Sequence, residues 1–128
     1  MQRFEPGIHH IEFWVGDLEK SMCFYSRLFA IIGWKQLSEN AFSTGKLEIY
    51  FKKMDEEIVR TLGPRHICYQ AVSRSVVDEV TNFLLDVQAE IIRGPIEMNR
   101  YSDGYYTVDF YDPNGFIVEV AHTPNVIM

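Results

Sequence analysis

GIHHIEFWVGDLEKSMCFY, residues 7–25, reads as a short strand, a break at Gly16-Asp17, and an amphipathic helix. Side chains alternate across a strand, so His10, Glu12 and Trp14 share one face and Ile11, Phe13 and Val15 the other. The second set is uniformly apolar and belongs against a core. A histidine, a carboxylate and an indole on the opposite face suit a binding surface. One histidine on a strand is ordinarily exposed or bonded locally, so by itself His10 decides nothing. Its weight comes from a second copy of the same pattern.

That copy starts at RHICYQAVSRSVVD, residues 65–78. His66, Cys68 and Gln70 share one face there, and Ile67, Tyr69 and Ala71 the other. A polar break at residues 73–75 precedes Val77, Val80, Phe83, Leu84 and Val87, which recur at helical spacings. His10 and His66 therefore hold the same place in two strand-then-helix units. Two copies are too few for a solenoid and indicate a module duplicated within one domain.

The copies also end alike. GKLEIYF, residues 45–51, and GFIVEV, residues 115–120, are strands entered from a glycine, each with one carboxylate among apolar neighbours. Leu47, Ile49 and Phe51 read as core, leaving Lys46, Glu48 and Tyr50 opposite; Val118 and Val120 likewise leave Glu119 opposite. A carboxylate in such a strand is disfavoured unless it is paired or bound. Two His and two Glu at matching places of two copies make a metal-site composition.

The remaining elements follow in order. Asp17 is the N-cap candidate of a helix over 18–32 that ends at Gly33, with Leu18, Met22, Tyr25, Leu28, Phe29 and Ile32 as its apolar stripe. Strands are expected at 34–38, 41–44 and 46–52, and a charged linker at 54–64. The second copy reads as strand 66–72, helix 75–88, strand 90–93, a longer loop 94–104, and strands 105–111 and 116–121. Asp112-Pro113-Asn114-Gly115 is a tight turn joining the last two. Either Thr107, Asp109 and Tyr111 or Val108 and Phe110 face the core; the apolar pair is favoured, which puts Asp109 and Tyr111 with the His/Glu face. His9 and His122 fall on the wrong parity for ligands, and Arg93 and Arg100 could bind an anionic substrate, although surface arginines are the commoner case.

Composition narrows the function. With 128 residues the chain suits one domain, with module one at about 7–53 and module two at about 65–122. A net charge of −6 argues against nucleic acid or an anionic membrane as partner. No secretory leader or membrane-length apolar run is visible, and Cys23 and Cys68 alone make no disulfide framework, so a cytoplasmic setting is expected. The 14% aromatic content suits a lined cavity or a subunit interface. Residues 123–128 read as a loose tail.

Two motifs carry a family resemblance. HIEFWVGDLEKSMCFY, residues 10–25, resembles the H-x-x-x-x-V-x-D-L-x-x-S-x-x-F-Y of the vicinal oxygen chelate superfamily, and FYDPNGFIVE, residues 110–119, resembles its F-x-D-P-x-G-x-x-x-E. That superfamily includes glyoxalase I, fosfomycin-resistance thiol transferases, methylmalonyl-CoA epimerase, extradiol dioxygenases and bleomycin-resistance proteins. With the duplication, the resemblance spans essentially the whole chain. It implies an α+β fold in which two βαβββ modules curl into a half-barrel, metal-binding cup.

The resemblance also implies a ligand set of His10, Glu48, His66 and Glu119 for a divalent ion such as Ni, Co, Mn, Fe or Zn. Many relatives pair modules across a dimer, so a homodimer is expected, with ligands drawn from one chain or two. Glu48 sits where glyoxalase I has its fourth ligand, a carboxylate able to act as base next to a carbonyl. Glu48 and Glu119 are accordingly the catalytic candidates, in a lyase or isomerase acting on a small molecule. Trp14 and Lys52 replace the arginine and asparagine that hold glutathione in glyoxalase I, which argues against glutathione as part of the substrate. Glu12, Trp14, Tyr50, Cys68, Asp109 and Tyr111 are the expected pocket. A fosfomycin-type thiol transferase, or a non-catalytic resistance protein binding an aromatic compound, are the alternatives.

Overall fold

The computed structural model describes residues 6–54 and 63–126; most of the expected linker and the ends of the chain lie outside these. The elements run β1 (His10–Val15), α1 (Leu18–Ile32), β2 (Lys35–Ser38), β3 (Ala41–Ser43), β4 (Glu48–Lys53), β5 (His66–Gln70), α2 (Arg74–Asp86), β6 (Ile91–Glu97), β7 (Tyr106–Tyr111) and β8 (Ile117–His122). They form two four-stranded mixed sheets, ordered β1-β4-β3-β2 and β5-β8-β7-β6. In each sheet the first strand of a module runs parallel to its last strand, which the intervening helix permits. The fold is α+β, built as two βαβββ modules, and the sheets do not close into a barrel. No helix among the described residues is long and apolar enough to cross a membrane.

Local chemistry explains the helix ends. Asp17 is extended, and its Oδ1 accepts from the backbone N–H of Lys20 at 3.0 Å, satisfying one orphan donor of α1. Gly33 closes α1 in the left-handed conformation at φ 93°, which a side chain would oppose. Ser73 caps α2 in the same manner through the N–H of Val76. Asp17→Ala is expected to cost about 1 kcal/mol, read as a lower urea midpoint at unchanged m-value.

One core serves both modules. Val15, Ile49 and Phe51 of the first sheet join Tyr69, Val108, Phe110, Val118 and Val120 of the second, with both helices between them. Phe24 of α1 meets Phe83 of α2 and Phe110 of β7, with ring centroids 5.2 and 6.1 Å apart. Trp34 and Phe29 both meet Tyr69 edge-on. Because α1 packs on two neighbours, its buried surface is wider than one stripe and includes Ser21 and Phe24. The same arrangement turns the polar face of each sheet away from the shared core.

Three expectations need correction. Strand β6 continues through Gly94-Pro95 to Glu97, into the stretch expected to be a loop from residue 94. Proline is tolerated because β6 is an edge strand and its register slips around this point. Gly94 is required there: a Cβ would lie 2.4 Å from the carbonyl oxygen of Thr107. The loop after β6 is correspondingly shorter and is tied down. Met98 N–H donates to Tyr105 O at 2.7 Å, Tyr101 N–H to Met98 O at 2.9 Å and Gly104 N–H to Asn99 Oδ1 at 2.9 Å. The described part of the tail is also held, by Asn125 Nδ2 donating to Asp103 O at 2.7 Å.

Candidate functional site

The parallel pairing of β1 with β4 sets His10 directly beside Glu48, and Glu12 beside Tyr50. Residues paired in this way point to the same side of a sheet. Tyr50 donates its hydroxyl to Oε2 of Glu48, and its ring stands edge-on to His10 at 5.8 Å. That hydrogen bond holds the Tyr50 phenol above its usual pKa. Glu12 and Trp14 complete this face and are exposed, Trp14 to 53%. His9 is exposed too, with its Nδ1 3.0 Å from that of His10.

The second sheet is related but not identical. Here His66 pairs with Ile117, and Cys68 with Glu119. The two carboxylates thus do not hold equivalent places: Glu119 matches Tyr50, and Ile117 matches Glu48. The approximate likeness of the two strand endings concealed this two-residue offset. Glu119 still reaches its histidine, with Oε1 3.4 Å from His66 Nε2. Nδ1 of His66 lies 3.2 Å from Arg65 Nη1.

Glu119 is 6% exposed, and a carboxylate buried that far needs donors. Thr107 Oγ1 and Tyr105 Oη each donate to its Oε2 at 2.7 Å. Burial, then this hydrogen bond, pushes the Tyr105 phenol far up. Neither partner stood out in the sequence, because Tyr105 and Thr107 read as two of several alternating positions in the strand expected at 105–111. Asp109 faces Glu119 across the β7–β8 pair and forms an ion pair with Arg93, Nη2 to Oδ2 at 2.9 Å. Desolvation first, then Glu119, raises the Asp109 carboxyl against the opposing pull of Arg93. Arg93 therefore belongs to this face rather than to the outer surface. Cys68 is exposed, and its thiol is pushed up to about 12 by desolvation first and then by Glu119 and Asp109, which disfavours the thiolate. Tyr111 shares the face by register, and it also borders a cleft of about 710 Å³ on the helix side, beside Phe24 and Pro113. His122 bonds the carbonyl oxygen of Ala71 at 3.0 Å, a structural role.

Each sheet thus displays one imidazole–carboxylate pair. The pairs suit a borderline divalent ion in donor type, but they do not meet. Among the described residues no three His, Cys, Asp or Glu side chains gather closely enough to hold an ion. The physical reason is the shared core, which leaves the two polar faces directed outward. Within one chain the four expected ligands therefore stand as two separate pairs and not as one site.

A superfamily model covering glyoxalases, bleomycin-resistance proteins and dioxygenases matches residues 7–120. Both modules fall inside that match, and the chain belongs to this Glyoxalase/Bleomycin resistance protein/Dioxygenase superfamily. Among solved structures, a presumed glyoxalase from Bacillus halodurans is similar at 26% identity and a TM-score of 0.74, over 91% of this chain and 95% of that one. A glyoxalase/dioxygenase from Nostoc punctiforme has 18% identity and a TM-score of 0.72, over 98% and 99%. A glyoxalase/bleomycin resistance protein from Albidiferax ferrireducens has 16% identity and a TM-score of 0.73, over 91% and 98%. The last two likenesses concern the fold alone. No curated protein sequence matches the chain.

Proposed function

We propose that the chain is a metal-dependent enzyme of the lyase or isomerase type that acts as a homodimer on a small molecule. In this reading the His10–Glu48 pair of one protomer faces the His66–Glu119 pair of its partner. The observation that carries it is the placement of two imidazole–carboxylate pairs on outward faces of two separate sheets. Two imidazoles and two carboxylates would suit a divalent ion such as Ni, Co, Mn, Fe or Zn in donor type. Bound there, such an ion would polarise two chelating substrate oxygens as a Lewis acid.

The chain's own residues supply the rest. Glu48 is half-buried, holds the Tyr50 hydroxyl and is the candidate base for a proton next to a carbonyl. Glu119 is fixed by Thr107 and Tyr105, so its orientation is set before any ligand arrives. Trp14 and Tyr50 would offer an aromatic wall to the substrate.

Complementation tests the cross-chain arrangement. A His10→Ala/Glu48→Gln chain and a His66→Ala/Glu119→Gln chain should each bind little divalent metal alone. Mixed after dissociation and reassembly, they should recover one site per heterodimer, because one intact pair from each chain then meets. Equilibrium dialysis with Ni²⁺ or Zn²⁺ reads the result. No recovery in a demonstrated heterodimer would sink the two-chain site, and an absence of metal in the unmodified protein would sink the metal enzyme. The second outcome would favour a non-catalytic protein binding an aromatic compound, a reading supported by the exposed indole of Trp14.

A further inference from the structure

Two guanidinium groups converge on one phenol beside the second sheet's polar face. Arg93 reaches Tyr101 Oη with Nη1 at 3.3 Å, and Arg100 reaches the same oxygen with Nη2 at 3.4 Å. Both cations also lie near the Tyr101 ring, at 5.8 and 5.1 Å from its centroid. Arg93 is neutralised by Asp109, whereas among the described residues Arg100 has no carboxylate partner. Among these residues the charge of Arg100 is therefore the one left without a carboxylate, and an anion placed between the two guanidinium groups would offset it.

Three further details bear on what this place could bind. Tyr101 accepts two hydrogen bonds, yet among the described residues its own O–H has no acceptor. Arg93 Nε is buried and unpartnered, and so is Ser102 Oγ in the adjoining loop. Buried atoms such as these last two ordinarily find a partner. The loop itself is held by its own backbone bonds, so these donors are pre-positioned. The phenol of Tyr101 is drawn below its usual pKa by the two arginines, which marks the spot as favourable to negative charge.

We propose that Arg93, Arg100 and Tyr101 form an oxyanion subsite that takes a carboxylate or phosphonate-type group carried by the substrate. Planar guanidinium donors and a phenolic O–H match such oxygens in charge and geometry. The subsite adjoins the candidate ligand Glu119 through one ring: Tyr101 stands edge-on to Tyr105 at 5.2 Å, and Tyr105 holds Glu119. This inference rests on reading that face as the substrate cup. It selects substrates with an anionic group set apart from the oxygens that would chelate a metal.

The test is a nuclear magnetic resonance titration of the metal-free full-length protein with methylphosphonate and, separately, with acetate, at constant ionic strength. Expected is saturable binding of at least one probe, with shifts in the Arg93 Nε–H signal and the amides of residues 99–104. Arg100→Gln should weaken that binding at least about 10-fold. Tyr101→Phe, which keeps the ring, should weaken it several-fold. The tighter probe identifies phosphonate or carboxylate as the group recognised. Absence of saturable binding by either probe, or binding unchanged in Arg100→Gln, would overturn the proposal. Because no metal is added, a failed metal site leaves this result readable, and a failed subsite leaves the metal measurements intact.

Discussion

Glu119→Gln is expected to lower divalent-metal affinity at least about 100-fold while leaving the fold in place. Substitution of groups that merely support metal ligands already costs about 10- to 100-fold, so loss of a carboxylate ligand should exceed that range. The fold should survive because the glutamine amide oxygen can still accept from Thr107 and Tyr105, which share Oε2 in the native site. Removing a charge that is 6% exposed also lifts a desolvation penalty. Metal-free Glu119→Gln should therefore unfold at a temperature equal to or above that of the unmodified protein, even as metal binding is lost. Dialysis against Ni²⁺ or Zn²⁺ with a thermal melt separates the two effects. Unchanged affinity would remove Glu119 from the ligand set; a collapsed melt would make its role structural.

The largest stability effect is expected at Asp112, which is 8% exposed and ties the two modules together. Its Oδ2 accepts the Tyr25 hydroxyl of α1 at 2.6 Å, and its Oδ1 accepts the backbone N–H groups of Asn114 and Phe116, each at 2.8 Å. Asn114 adds to the joint: it donates to Ser21 Oγ at 3.1 Å and accepts from the Gly16 N–H at 3.3 Å. Asp112→Ala strands three donors, one of them a phenol inside the core. About 3 kcal/mol should be lost, at about 1–3 kcal/mol for each buried group left unpaired and with partial relief from water at the turn. In a chain of this size that is a fall of roughly 10 °C in Tm. Tyr25→Phe removes one donor and keeps the packing, so it should cost about 1 kcal/mol. A loss under about 1 kcal/mol for Asp112→Ala would show that the turn does not join the modules. The comparison uses chemical denaturation, with both variants at one pH.

Much of this architecture was legible because it rests on local rules. The alternation in β1, the capping aspartate before α1, the left-handed glycine after it and the Asp-Pro-Asn-Gly turn each follow from the chemistry of a few adjacent residues. The duplication then set the topology, since two strand-then-helix units demand two parallel closures. The end of β6 was placed too early, at residue 93, for the opposite reason. Whether proline ends a strand depends on which neighbour needs its absent N–H, and an edge strand has a side with no neighbour.

The site divides along the same line. Alternation was enough to put His10 with Glu12 and Trp14, and His66 with Cys68, because side-chain direction in a strand is local. It did not reveal that Glu119 stands two residues out of step with Glu48, since register belongs to the pairing of distant strands. Nor did it single out Thr107, Tyr105 and Arg93, which matter through where β6 and β7 carry them against β8. By itself the sequence determined the modules, their duplication and the motifs of the superfamily. Only the tertiary structure decided that one core lies between the sheets, so that each polar face looks outward and the two imidazole–carboxylate pairs stand apart; burying apolar faces together is a property of the whole chain, and no local pattern encodes which way the remaining faces point.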